Sequence, residues 1–117
     1  MTKQELGDDE RKIVAAMADA LGQFEALRPN MPLIHVRMLL MLALEEGKSQ
    51  KYYAGKWHYP TSTVSRAMLD MGRRMRKGEA GLGLVEEQVS FHSLREHEVS
   101  LSVKGRTLLH KIIRRFK

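Results

Sequence analysis

The sequence has no cysteine, only three prolines and one tryptophan, and aromatic residues make up 6% of its 117 residues. A chain without cysteine has no disulfide framework, no thiolate zinc site and no cysteine nucleophile. The longest apolar stretch, residues 31–44, is interrupted by His35 and Arg37 and is shorter than the roughly 20 residues that cross a membrane. Because the first ten residues are polar and acidic, they do not resemble a secretory signal peptide. These absences predict a soluble, cytoplasmic protein.

The residues typical of catalytic and metal sites are scattered. Apart from His92 and His97, the five histidines show no spacing typical of metal ligands. The glycines in residues 78–83 lack the preceding strand and following helix that a phosphate-binding loop requires. No Ser-His-Asp set can be argued either. We therefore predict a protein that is not an enzyme and that has no cofactor and no metal site.

The excess of basic residues, a net charge of +6, is unevenly distributed. Residues 1–30 carry a net charge of −2, whereas residues 91–117 carry +5. An acidic beginning and a basic remainder favour one surface that meets a polyanion, most simply nucleic acid. The alternative is a set of solvated charged faces, which is common in small basic proteins.

The hydrophobic spacing predicts one domain of helices with a β-hairpin. A first helix begins near Asp8 or Asp9, which would cap it, and Asn30 would cap a second helix over about residues 32–46. A short helix over residues 50–57, a turn at residues 58–60 and a helix from Pro60 or Thr61 to about residue 76 follow. Strands are predicted over residues 84–90 and 98–103, and Ser102 would cap a terminal helix.

This order predicts a mainly α fold with a small β-hairpin wing, a winged helix-turn-helix with an extra helix at each end. In a helix-turn-helix, the amino-terminal part of the second helix lies against base edges in the major groove. The stretch TSTVSR at residues 61–66 suits that place, because small hydroxyl side chains come first and an arginine follows. A serine- and threonine-rich helix start that only caps itself is the alternative.

Three segments carry a family resemblance. Residues 49–54 (SQKYYA) and 61–66 (TSTVSR) resemble the helix-turn-helix of MarR-type transcription regulators, in which a Thr-Gln-x-x-Leu-Ala opening precedes Ser-Thr-Val-Ser-Arg. Residues 99–106 (VSLSVKGR) are similar to that family's second wing strand and its Leu-Thr-x-x-Gly-Arg closure. The resemblance extends over about residues 31–110.

The resemblance implies a set of DNA contacts. It places five residues in the major groove and an arginine at the wing tip in the minor groove or on a phosphate; further basic residues are expected to contact the DNA backbone. The major-groove residues are Thr61, Ser62, Thr63, Ser65 and Arg66, the wing-tip residue is Arg95, and the further basic residues are Lys51, Lys56, Arg73 and Arg74.

Two residues depart from the family pattern. His58 stands at a turn position where the family commonly has glycine, so we expect it to adopt a left-handed conformation. Ser93 stands where the family often has an aspartate that would pair with the wing arginine, so Arg95 is expected to lack that partner.

The predicted partner is double-stranded DNA, bound as a homodimer. We divide the single domain into an N-terminal helix (1–30) and a C-terminal helix (105–117) that form the dimer, and a winged helix-turn-helix (31–104) between them. The predicted function is a transcription regulator, a repressor, at a pseudo-palindromic site. No small-molecule effector and no membrane partner are predicted. The alternative is a winged-helix module for replication initiation or protein–protein interaction in a mobile-element protein.

Overall fold

The computed structural model describes residues 5–72, 81–89 and 97–117. Within these ranges the predicted mainly α fold with a two-stranded hairpin is confirmed. The elements in chain order are α1 (Asp8–Leu27), α2 (Leu33–Leu44), α3 (Gln50–Trp57), α4 (Thr61–Met71), β1 (Val85–Val89), β2 (His97–Leu101), α5 (Val103–Ile113) and a final 3-10 turn (Arg114–Phe116).

The first two helices begin differently from the sequence prediction. Gly7, not Asp8 or Asp9, is the N-cap of α1, and its backbone N–H donates to the Glu10 carboxylate at 2.8 Å. The two aspartates lie in the first turn instead, where the positive end of the helix dipole favours them. Asn30 was also the wrong cap, because α2 starts after Pro32, whose carbonyl accepts the first helical hydrogen bonds.

The core of the domain is built around α2. Its side chains Met38, Leu39 and Leu42 are fully buried, as the nearly all-apolar sequence of this helix predicts. α4 and β2 pack on it, and α3 packs in turn on α4 and β2. The helix stops at Leu44, two residues before the predicted end, since Glu45 leaves helical geometry and its carbonyl accepts a hydrogen bond from the Tyr53 hydroxyl at 2.7 Å.

The two strands pair antiparallel, with Val85 opposite Leu101 and Val89 opposite His97. A third short segment joins them, because Lys48 forms an isolated antiparallel bridge with Val99. The backbone groups of Val99 bond to Gly47 N–H at 2.8 Å and to the Lys48 carbonyl at 2.9 Å. The hairpin is therefore fixed to the chain between α2 and α3.

The last helix packs tightly against the start of the wing. Ser102 caps α5 as predicted, with its hydroxyl accepting the Gly105 N–H at 3.0 Å. A Cβ at Gly105 would lie 2.2 Å from the Leu84 carbonyl oxygen, so only glycine fits this approach without a backbone shift. α5 also packs on α1.

α1 has one face on the domain and another that is exposed. Ala16 and Phe24 are buried, while a set of large apolar side chains on α1 and at the chain end is exposed. Four of them, Ile13, Val14, Met17 and Leu21, lie on one side of α1 and are called the terminal apolar face below. Ile113 and Phe116, near the end of the chain, are also exposed. Among the described helices, none combines the length and the hydrophobicity that crossing a membrane requires.

Candidate nucleic-acid interface

α3 is held rigidly by polar and aromatic contacts. The Ser49 hydroxyl caps the helix by accepting the Tyr52 N–H at 3.1 Å. Tyr53 is fully buried, stacks on Trp57 with ring centroids 4.6 Å apart and accepts the Lys48 N–H at 3.1 Å. Burial raises the pKa of the Tyr53 hydroxyl, which therefore stays protonated and keeps its bond to Glu45. Tyr53 and Trp57 are therefore packing residues of α3.

The turn between α3 and α4 has the conformation expected from the sequence. His58 adopts φ 60° and ψ 43°, the left-handed region. This single residue ends α3, and the Tyr59 N–H then bonds back to the Ala54 carbonyl at 3.1 Å. Pro60 follows in an extended conformation, and α4 begins at Thr61.

α4 separates its side chains into an inner and an outer face. Val64, Ala67 and Met71 are fully buried, and Met68 is nearly so. This burial fixes the rotation of the helix about its axis. The exposed residues on the outer face, called the α4 outer face below, are Thr61, Ser62, Ser65, Arg66 and Leu69.

Most of the predicted α4 contacts lie together on this face, with one exception. Thr61, Ser62, Ser65 and Arg66 are exposed side by side. Thr63 is half-buried, because position 63 falls between the outer and the inner face of the helix.

The predicted basic contacts outside α4 are in three situations. Lys51 is exposed on α3. Lys56, also on α3, is paired with Glu45, their N and O atoms being 2.5 Å apart. Arg73, Arg74 and Arg95 lie outside the described residues, as do His92 and Ser93.

Glu45 organises a small polar cluster beside α3 that the sequence did not reveal. Its carboxylate accepts from Lys56 and from the Tyr52 hydroxyl at 2.9 Å, and these two hydrogen bonds lower the pKa of Glu45. The hydrogen bond to Glu45 likewise raises the pKa of Lys56. Lys48 lies over the exposed Tyr52 ring, 5.5 Å from its centroid. Lys56 thus has a carboxylate partner within the protein, whereas a phosphate contact was predicted for it.

A buried ionic cluster fixes α4 to the first two helices. The Asp70 carboxylate on α4 pairs with Arg28, at the end of α1, and with His35 Nδ1 on α2 at 2.9 Å. Burial lowers the pKa of His35, and the nearby positive charges of Arg28 and Arg66 lower it further. The neutral imidazole then donates its Nδ1–H to the carboxylate.

A second ionic contact fixes the wing. The Glu46 carboxylate binds Arg106 of α5 through two N–O contacts at 2.7 and 2.9 Å and accepts the Leu101 N–H at 2.8 Å. A bidentate pair of this kind has a defined geometry. One side chain after α2 therefore joins the end of β2 to α5.

A helix-turn-helix followed by a two-stranded wing and a further helix defines the winged-helix class of proteins. Solved structures of this class are similar to the chain. It matches the MepR–DNA complex of S. aureus at 18% identity with a TM-score of 0.67, covering 91% of this chain and 80% of that one. It matches MarR at 15% identity with a TM-score of 0.56, covering 98% of this chain and 74% of that one. It matches a MarR-like transcriptional regulator of Thermotoga maritima at 18% identity with a TM-score of 0.60, covering 96% of this chain and 77% of that one.

The predicted MarR-type resemblance is thus confirmed at the level of the fold. No protein-family model and no curated protein matches the sequence. In the part of the chain that the structure describes, no three His, Asp or Glu side chains come together as a metal site.

Proposed function

We propose that the chain is a cytoplasmic, sequence-specific regulator of transcription that binds double-stranded DNA as a homodimer and acts as a repressor. The observation that carries the proposal is the α4 outer face. Hydroxyls of Ser62 and Ser65 and the guanidinium of Arg66 are exposed on a helix whose opposite face is fully buried. Hydroxyl groups and arginine are the side chains that bind guanine and other base edges in the major groove.

The charge distribution supports the same surface. The net charge of +6 is concentrated after residue 30, away from the acidic start of α1. Basic surfaces attract the phosphate backbone, and an acidic segment remote from the duplex keeps the binding orientation unique. Among the similar structures, MepR was solved bound to DNA, which agrees with this assignment.

The terminal apolar face supports the homodimer. Exposed apolar side chains that cluster on one side of a protein are typical of interaction sites. A second copy packed against this face would cover residues such as Met17 and Leu21 and would place two α4 helices on one duplex. Because a two-fold dimer presents the same surface twice, we propose a pseudo-palindromic site with two inverted half-sites.

The test is selection of bound duplexes from a random DNA library, followed by sequencing. The proposal expects one preferred sequence with inverted half-sites whose centres are about one helical turn or a multiple of it apart. A single half-site would contradict the dimer. If no sequence is enriched, the chain is not a sequence-specific regulator.

Arg66→Ala tests the site itself. Because one good base contact contributes about 1–3 kcal/mol of discrimination, this variant should bind the selected duplex about 5- to 150-fold more weakly. Arg11→Ala, at an exposed arginine of α1, removes the same charge and is the matched control. Equal affinity of the two variants, measured by fluorescence anisotropy at one salt concentration, would exclude Arg66 as a base-reading residue.

The second candidate, a module for protein–protein interaction or replication initiation, is favoured by one feature of α2. Leu33 and Leu44 are 71% and 87% exposed and lie on one side of this helix with Leu40. Uniform, weak affinity for all duplexes together with tight binding to a protein would support this candidate instead.

A further inference from the structure

One apolar residue occupies the centre of the α4 outer face. Leu69 lies seven positions after Ser62, and seven residues of an α-helix make two turns with only about 20° of drift. It also lies four positions after Ser65 and three after Arg66, so these three polar side chains are its neighbours on the helix surface. Leu69 retains 39% of its surface exposed.

The buried residues of α4 show that Leu69 points away from the domain. Val64, Ala67, Met68 and Met71 define the inner face, and Leu69 lies on the opposite side of the helix. On its wing side a groove runs between α4 and β1, lined by Leu69 and Ser65 from one wall and by Glu87 from the other. The Gln50 side-chain amide donates to the Glu87 carboxylate across the end of this groove. The described strands of the wing, β1 and β2, therefore leave part of the leucine exposed.

In the major groove, the apolar group that a leucine can contact is the 5-methyl group of thymine. Ser62, Ser65 and Arg66 offer hydrogen-bonding groups, which suit the donors and acceptors of base edges. Leu69 offers none. The major groove is about 12 Å wide and admits an α-helix. Because an α-helix rises 1.5 Å per residue, Leu69 lies about 6 Å beyond Ser65 along the helix axis.

We infer that Leu69 is a specificity-determining residue that contacts the methyl group of one thymine in each half-site. The inference rests on the proposed function and adds to it the identity of one base. An isolated exposed leucine is common on protein surfaces, so the test has to measure how much the thymine methyl group contributes to binding.

The experiment uses the full chain and the duplex selected by the wild-type protein. Each thymine of one half-site is replaced in turn by deoxyuridine, which differs from it only by the missing methyl group. The wild type should bind one of these duplexes about fourfold more weakly, the effect expected for one buried methyl group. Leu69→Ala should bind that duplex and the unmodified one equally.

Two further variants make the result specific. Leu44→Ala changes a leucine that is 87% exposed on α2, and this matched control should keep the fourfold loss. Leu69→Gln keeps a side chain of similar length without its apolar end and should lose the discrimination as Leu69→Ala does. It also supplies the measurement if Leu69→Ala fails to fold by circular dichroism.

The outcomes separate this inference from the proposed function. If a site is selected but no thymine methyl group affects binding, or if the loss persists in both Leu69 variants, the inference is wrong and sequence-specific binding stands. A selected half-site without an A·T pair would overturn it in the same way. If no sequence is enriched at all, both the inference and the proposed function fail.

Discussion

The buried cluster of Asp70, Arg28 and His35 provides the sharpest test of the fold, through the substitution Asp70→Asn. Asparagine has nearly the same shape and keeps one oxygen for the His35 N–H. It removes the negative charge that faces Arg28, and its amide N–H₂ group has no acceptor on the guanidinium. The effect therefore reports the ionic contact and not a cavity.

The magnitude follows from the burial of the three groups. Removing one partner of a buried ion pair costs about 3–5 kcal/mol of folding free energy. The side chains of Asp70 and His35 are almost completely buried, but that of Arg28 is 28% exposed and is able to turn towards water. We therefore expect the lower end of the range, about 3 kcal/mol.

The assay is urea unfolding followed by far-UV circular dichroism. For an m-value of about 1.5 kcal/mol per molar, the expected loss lowers the unfolding midpoint by about 2 M urea. Asp19→Asn is the matched control, because Asp19 pairs with Arg115 at the exposed surface. Such a pair contributes about 0–1 kcal/mol. If Asp70→Asn and Asp19→Asn shift the midpoint equally, the cluster does not stabilise the domain.

Two further predictions concern histidines. His58→Gly should stabilise the fold by up to about 1 kcal/mol, because a left-handed conformation costs a non-glycine residue about 1–2 kcal/mol. The greater flexibility that glycine gives the unfolded chain offsets part of this gain. A lower melting temperature than that of the wild type would contradict the prediction. The pKa of His35 is below 6.5 in the folded protein, so the unfolded state binds a proton first as the pH falls and this contribution to stability is lost on acidification. His35→Gln should flatten the dependence of stability on pH between about pH 7 and pH 5, and an unchanged slope would show that His35 does not contribute.

The helix pattern and the motif spacing were sufficient to predict the fold. Val64, Met68 and Met71 are spaced by threes and fours, the spacing of one helix face, and these side chains are buried. The left-handed conformation of His58 was predicted from its place in the turn. Such features depend on residues close together in the sequence, where periodicity and turn chemistry are informative.

The contacts that connect distant segments were not predictable in this way. Arg28 and Asp70 are 42 positions apart, and a charged residue inside a helix is usually exposed to solvent. The pairing of Lys56 with Glu45 depends on where α2 ends, which was predicted two residues too late. The capping errors at Asp8 and Asn30 are of another kind, because the observed caps, Gly7 and Pro32, lie only one or two residues away in the sequence.

The attachment of the hairpin has a mechanical consequence for any duplex that the protein binds. Val99 exchanges two backbone hydrogen bonds with residues 47 and 48, and Glu46 holds both Leu101 and Arg106. Tilting the base of the hairpin relative to α3 would break all of these bonds together. The distance between the strand pair and α4 is consequently set before binding. DNA whose groove width does not match this distance would have to bend or twist to fit. Because the energy of that deformation depends on the DNA sequence, it would itself discriminate between sequences.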